Sequence, residues 1–101
     1  MITRIVKLHF QEGQRDLFLS IFNETKMKVA TFEGCHGIRL LNDIKNPDVF
    51  FTYSLWKNES CLENYRKSPL FKTIWASIKP SFEEAAEAWS TEVYFDYLDE
   101  I

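Results

Sequence analysis

The fold is decided by one segment, residues 49–56, which reads VFFTYSLW. Strand alternation places Phe50 and Trp56 on one face of this segment. The opposite face carries four residues, Val49, Phe51, Tyr53 and Leu55. Because a strand with one wet face carries polar residues on that face, aromatic rings on both sides indicate that both are covered. We therefore predict a central strand in a sheet whose two faces are both buried.

The residues before this strand predict a strand, a helix and a second strand. Residues 2–10 alternate, and Arg4 shares the strongly apolar face. Residues 14–29 instead repeat their apolar side chains at helical spacing. Residues 35–42 alternate again, and the turn-rich residues 43–48 join them to the central strand as a hairpin.

The residues after the central strand predict helices and a last strand. Asn58 is suited to cap one short helix, and Ser68 followed by Pro69 marks the start of a second. Residues 81–84 read SFEE, which fits a capping box for one further short helix. Residues 89–97 alternate and predict the final strand.

The order β-α-β-β-α-β predicts an α+β fold, a ferredoxin-like antiparallel sheet with helices on one face. At 101 residues, the chain is expected to form a single domain over residues 1–101. Two helices cover only one face of such a sheet. The other face is predicted to carry Ile5, Phe50 and Trp56. A second copy of the chain would cover it, so we expect a homodimer.

Composition narrows the function classes. The net charge of −3 argues against nucleic acid as the main partner, because phosphate binding needs a basic surface. No apolar run is long enough for a membrane span, and no signal-peptide pattern opens the chain, so a cytoplasmic protein with no membrane partner is expected. Cys35 and Cys61 form no CxxC pair, and His9 and His36 have no metal-site spacing.

Aromatic residues make up 16% of the chain, so some rings should face a ligand or another chain.

Three short motifs carry a resemblance to a known family. Residues 32–35 read FEGC, residues 55–58 read LWKN, and residues 64–71 read NYRKSPLF. In this order and spacing they resemble the antibiotic biosynthesis mono-oxygenase (ABM) domains of the dimeric α/β-barrel superfamily, over about residues 2–97. The resemblance implies that the sheets of two subunits close into one α/β barrel. It also implies a pocket between the sheet and the helices of each subunit.

The resemblance further implies an activity. Characterised members oxidise small aromatic polyketides or quinols with O₂ and use neither metal nor flavin. The expected function is therefore a cofactor-independent mono-oxygenase for a small aromatic or quinone-like substrate. The polyketide-oxidising branch has an Asn and a Trp on the third strand, and those places hold Thr52 and Trp56 here. The haem-degrading branch uses three residues whose places hold Val6, Tyr65 and Trp75 here. None of these three is the residue type that the branch uses at that place.

Such chemistry needs aromatic walls, a hydrogen-bond donor for an oxyanion and a proton acceptor. Tyr65 and Tyr53 are candidate phenolic donors, and His36 is the candidate acid–base group because its ordinary pKa lies near neutrality. The candidate substrate-binding residues are Trp75, Phe22 and Trp56. No metal site or cofactor is expected. Two alternatives remain open, namely a non-catalytic module that binds a small ligand and a haem-binding module without the usual degradation chemistry.

Overall fold

The computed structural model describes residues 1–99 and consists of one four-stranded antiparallel sheet with helices packed on one side. The strands stand in the order β2-β3-β1-β4. This arrangement confirms the predicted ferredoxin-like order. The elements are β1 (Ile2–His9), α1 (Arg15–Ala30), β2 (Cys35–Asn42), β3 (Val49–Trp56), α2 (Glu59–Arg66), α3 (Pro69–Ile78), a 3₁₀ turn (Lys79–Ser81) and β4 (Glu87–Thr91).

The two predicted helix starts after β3 are confirmed. The side-chain oxygen of Asn58 accepts a hydrogen bond from the backbone N–H of Cys61 at 2.9 Å. The hydroxyl of Ser68 accepts one from the N–H of Phe71 at 3.1 Å, with Pro69 as the first helical residue. Each cap satisfies one of the N–H groups that a helix start leaves without a partner. Helices α2 and α3 thus begin where their sequences dictate.

The core lies between the sheet and the helices, and it contains Phe50. The ring of Phe50 lies 5.0 Å from that of Phe18 on α1, and Phe18 stacks on Phe10 at 4.5 Å. Trp56 is also on this side, 1% exposed, and stacks on Tyr65 of α2 at 4.9 Å. The prediction that Phe50 and Trp56 face a partner subunit is therefore wrong.

The register between β1 and β3 explains this correction. Leu8 pairs with Phe50, and Ile2 pairs with Trp56, so the even-numbered residues of both strands share the side that faces the helices. Ile5 pairs with Tyr53 and belongs to the opposite side. In β3 both faces carry apolar residues, so alternation defined two faces without telling which one the helices cover.

The side of the sheet away from the helices, called here the open sheet face, is largely apolar, although Lys7, Arg39 and Glu87 share it. Leu41 and Trp89 are 45% and 44% exposed there, and the other members are half-buried. None of the helices described within residues 1–99 packs on this face. The apolar residues of the open sheet face are Ile5, Leu41, Phe51, Tyr53, Leu55 and Trp89.

The C-terminal part differs from its prediction in two respects. The SFEE segment forms no helix, because Phe82 bridges to Phe10 at the sheet edge and its ring packs 5.4 Å from that of Trp75. The last strand ends at Thr91 and does not extend to residue 97. Thr91 pairs with Thr3, so beyond it almost nothing of β1 remains to pair with. Among residues 1–99, no helix is long and apolar enough to cross a membrane.

Candidate active site

A cavity of about 400 Å³ lies between the sheet and all three helices. This volume is in the range typical of small-molecule sites. Its floor is the helix-facing side of β1 and β3, and its walls are mostly apolar. Wall residues from the helices include Phe22, Leu62, Phe71, Ile74 and Trp75.

A continuous series of rings forms one wall of the cavity. Tyr65 stacks on Trp56 with 4.9 Å between centroids and 24° between planes. Phe71 meets Tyr65 edge-on at 5.2 Å, and Trp75 stacks on Phe71 at 5.6 Å and 15°. Phe71 and Trp75 are four residues apart and so lie on one side of α3, and Tyr65 of α2 packs against Phe71. Such a wall suits a flat, apolar ligand.

Tyr65 is the phenol of this wall. Burial, and to a lesser extent repulsion from an ionised Cys35, raises the pKa of Tyr65 to about 12. Its hydroxyl therefore stays protonated at neutral pH, where it can donate a hydrogen bond but cannot serve as a base. The structure records no hydrogen bond of this hydroxyl to another residue within 1–99.

The floor of the cavity carries a few polar groups. The indole N–H of Trp56 donates to the hydroxyl of Ser54 at 2.9 Å. The guanidinium of Arg4 donates through Nη1 to the hydroxyl of Ser90 on β4, also at 2.9 Å. Thr52 lies on the same side of β3 as Ser54. These groups are fixed by strands, so they are rigidly placed against the aromatic wall.

The charged residues that line the cavity within residues 1–99 are all basic, namely Arg4, Lys26, Arg39 and Arg66, although the guanidinium of Arg39 lies beside the ring of Tyr53 on the open sheet face. No Asp, Glu or His from residues 1–99 belongs to this wall. Burial lowers the pKa of Arg4, and repulsion from Arg66 lowers it further, while Glu63 opposes that change. The site therefore favours negative charge, and no residue of the wall is an ordinary base.

Five of the six predicted site residues line this cavity, with Tyr53 as the fifth. Tyr65, Trp75, Phe22 and Trp56 all line it. Trp56 is 1% exposed, so it serves as floor beneath Tyr65.

His36 is not brought into the cavity, and Tyr53 lines it without turning its ring toward it. Tyr53 lies in the strand between two floor residues, but alternation turns its ring to the open sheet face, where the Arg39 guanidinium lies 5.6 Å from it. His36 is exposed at an irregularity of β2 between Cys35 and Gly37, and it is absent from the cavity wall. The geometry therefore gives no support to the predicted catalytic roles of Tyr53 and His36.

Sequence reasoning missed Arg4, Ser54 and Arg66 as site residues. For Arg4 a signal was present, since it is the one charged residue on the otherwise apolar face of the first strand. Charged side chains seldom occupy a core-facing position without a partner or a function. For Ser54 and Arg66 the sequence offers no comparable signal.

Solved structures with the same fold support the assignment of the architecture. A structure described as an antibiotic biosynthesis monooxygenase superposes with a TM-score of 0.87 and 17% identity, covering 92% of this chain and 98% of the other. A conserved protein from Methanosarcina mazei Go1 superposes with a TM-score of 0.83 and 20% identity, covering 90% of this chain and 91% of the other. A mutant of SnoaB, a cofactor-independent oxygenase from Streptomyces nogalater, superposes with a TM-score of 0.85 and 14% identity, covering 97% of each chain.

At these identities the likeness shows the fold alone. No curated protein matches the sequence. The family model described as antibiotic biosynthesis monooxygenase matches residues 1–77, which is most of the chain and includes β1 through nearly all of α3. By this match, the chain belongs to the antibiotic biosynthesis monooxygenase family.

Proposed function

We propose that this protein is a cofactor-independent monooxygenase that oxidises a small aromatic or quinone-like molecule inside the cavity. The observation that carries the proposal is the aromatic wall of Tyr65, Phe71 and Trp75 around a cavity of about 400 Å³. Family membership and the fold shared with the SnoaB oxygenase support it.

The chemistry requires the substrate itself to supply the electrons. When a CH₂ group between two aromatic rings becomes C=O, one oxygen atom of O₂ enters the product and the other leaves as water. All four electrons come from the substrate, and the two protons lost from the CH₂ group are balanced by the two protons taken up into that water. The protein's task is to hold the flat substrate, to stabilise the anion that reacts with O₂, and to limit the access of water.

Tyr65 is the residue proposed to stabilise that anion. Its raised pKa keeps the phenol protonated, so it donates to a developing oxyanion. Trp75 and Phe22 orient the ring system by contact, and Trp56 supports Tyr65 from below. Because no wall residue is an ordinary base, the first proton of the substrate passes to solvent.

The test is O₂ uptake with dithranol, an anthrone, after subtraction of the enzyme-free autoxidation rate. Loss of one oxyanion donor commonly costs about 10²–10³ in rate, so Tyr65→Phe should lower kcat by about that factor. Tyr53→Phe is the matched control, because it deletes a phenol whose ring lies on the other side of the sheet. Equal rates for the two variants would contradict the proposed role of Tyr65. Ligand-induced stabilisation against heat with no O₂ uptake by any anthrone or quinol would instead identify a binding module.

We also propose that two copies pair through the open sheet face. An apolar sheet face of this kind is normally covered, and a twofold dimer is the commonest way to cover it. Leu41 lies on this face and is 45% exposed, whereas Leu17 on α1 is 49% exposed on another surface. Leu41→Glu should therefore dissociate the dimer in sedimentation velocity at micromolar concentration, and Leu17→Glu should not. A monomeric wild-type protein would refute this proposal.

A further inference from the structure

The charge distribution of the cavity is opposite to that of the chain. The protein carries 15 acidic and 12 basic residues, yet every charged residue that lines the cavity within residues 1–99 is Lys or Arg. Burial lowers the pKa of Arg4, and repulsion from Arg66 lowers it further against the opposing effect of Glu63, so the two guanidinium groups are close enough to interact. Like charges beside an apolar cavity are unfavourable unless a negative group is bound between or near them.

Arg4 is the better placed of these two side chains. It lies on β1 between the neighbouring strands, where it pairs with Ser54 of β3 and Ser90 of β4. A guanidinium has five N–H donors, and the structure records one of them in use, on the neutral hydroxyl of Ser90. No carboxylate of residues 1–99 lies within 4 Å of it, so its charge has no ion-pair partner there.

The positive charge of Arg66 is partly compensated by a carboxylate, so Arg4 is the stronger candidate for binding a negative group. Nη1 of Arg66 lies 3.4 Å from a carboxylate oxygen of Glu63, one turn earlier on α2. Arg66 is exposed, whereas Arg4 is half-buried beside the aromatic wall. A charge-assisted hydrogen bond is stronger in such a place than at the surface, because less water competes for it.

We propose that the ligand of this cavity bears an oxyanion, a carboxylate or an ionised phenol, on a flat aromatic body, and that Arg4 binds this oxyanion. The inference rests on the proposed function in taking this cavity as the substrate site. In this arrangement the rings of Tyr65, Phe71 and Trp75 contact the aromatic body, and the free N–H groups of Arg4 bind the charge. Arg4 is thus a specificity-determining residue that selects charged aromatic ligands over neutral ones of the same shape.

The test is isothermal titration calorimetry with probes of matched ring system at pH 7.5, in the absence of turnover. The probes are 2-naphthoate, which carries a carboxylate, and 2-naphthol, which is neutral at this pH. A third probe, 2,4-dinitro-1-naphthol, is ionised at this pH and presents a phenolate. The wild-type protein should bind 2-naphthoate or the dinitronaphtholate about 10- to 100-fold more tightly than 2-naphthol, the range expected for a charge-assisted hydrogen bond. The tighter of the two anions assigns the oxyanion to the carboxylate or the phenolate class.

Three variants locate the selectivity. Arg4→Met should remove the preference for the anions and leave the affinity for 2-naphthol within about twofold, as expected when only the charge is lost. Arg4→Lys should keep most of the preference, and Lys45→Gln, which removes one exposed positive charge in the loop after β2, should keep all of it. Equal wild-type affinity for anionic and neutral probes would overturn the proposal. So would a preference that survives in Arg4→Met.

The outcome is separable from that of the monooxygenase proposal. An anion preference that depends on Arg4, together with no O₂ uptake on any substrate, would refute the monooxygenase and leave this inference standing. O₂ uptake without an anion preference would do the reverse. If Arg4→Met fails to fold, Arg4→Gln takes its place, because it also removes the charge; it should lose the preference for the anions, and a preference that survives in it would overturn the proposal.

Discussion

The contact between Gly34 and Cys61 gives a sharp test of how helix α2 is positioned. Gly34 has a φ of +85°, and a Cβ added there would lie 2.5 Å from both Cβ and Sγ of Cys61. Its carbonyl accepts a hydrogen bond from the N–H of Lys57 at 2.8 Å. The loop before β2 therefore lies directly against α2, the helix that carries Tyr65 into the cavity.

The replacement Gly34→Ala should destabilise the protein through two effects. A positive φ costs a residue with a side chain about 1–2 kcal/mol. The overlap with Cys61 adds the cost of forcing α2 outward, about 1–3 kcal/mol in packed interiors. The combined loss of unfolding free energy should be about 2–5 kcal/mol.

Gly13→Ala is the matched control. Gly13 has nearly the same backbone, with a φ of +88°, but a Cβ added there meets nothing within 4 Å. It should show the backbone effect alone. Urea denaturation at one protein concentration measures both variants, and in a domain of this size each kcal/mol lowers Tm by about 4–8 °C. Equal destabilisation by the two variants would show that α2 does not pack tightly against this loop.

Three further predictions concern pH dependence, core packing and His36. Folding raises the pKa of Tyr65 from 10 to about 12, so between these pH values the folded protein keeps a proton that the unfolded chain loses. The unfolding free energy, measured by urea titration, should therefore fall between pH 10 and 12, and Tyr65→Phe should lack this part of the fall. Phe50→Ala should cost about 3–5 kcal/mol of unfolding free energy, since Phe50 is 2% exposed and packs against Phe18. Phe51→Ala, made in the monomeric Leu41→Glu variant, should cost clearly less by the same measurement. His36→Ala should leave O₂ uptake unchanged because His36 lies outside the cavity wall, and a large loss of rate would restore its predicted acid–base role.

The predictions that depended on local rules were the successful ones. Asn58 and Ser68 cap their helices because a cap involves only residues within one turn of each other. The hairpin and the change from alternation to helical spacing are equally local. There are two exceptions to the success of local rules. The SFEE segment forms no helix, because the contacts of Phe82 with Phe10 and Trp75 outweigh a capping box of at most a few hydrogen bonds. The alternation predicted to residue 97 ends at Thr91, where β1 offers no further partner.

The candidate site was predictable only in part, for a related reason. Tyr65 and Trp75 belong to helical stripes, so the sequence indicated that they face the sheet. Tyr53 and His36 were assigned by residue type, which carries no information about the direction of a side chain. Arg4 is 50 residues from Ser54 and 61 from Tyr65 in the sequence, and only the β1–β3 register and the packing of α2 bring the three to one cavity.

By itself the sequence determined the order of strands and helices, where most of them begin, and the family to which their motifs belong. Those properties follow from backbone preferences and side-chain periodicity over a few residues. The tertiary structure decided which face of β3 the helices cover, and with it the burial of Phe50 and Trp56. It also decided that an arginine of the first strand lies beside an aromatic wall. Both are matters of strand register and helix placement, which join residues far apart in the chain and have no local signature.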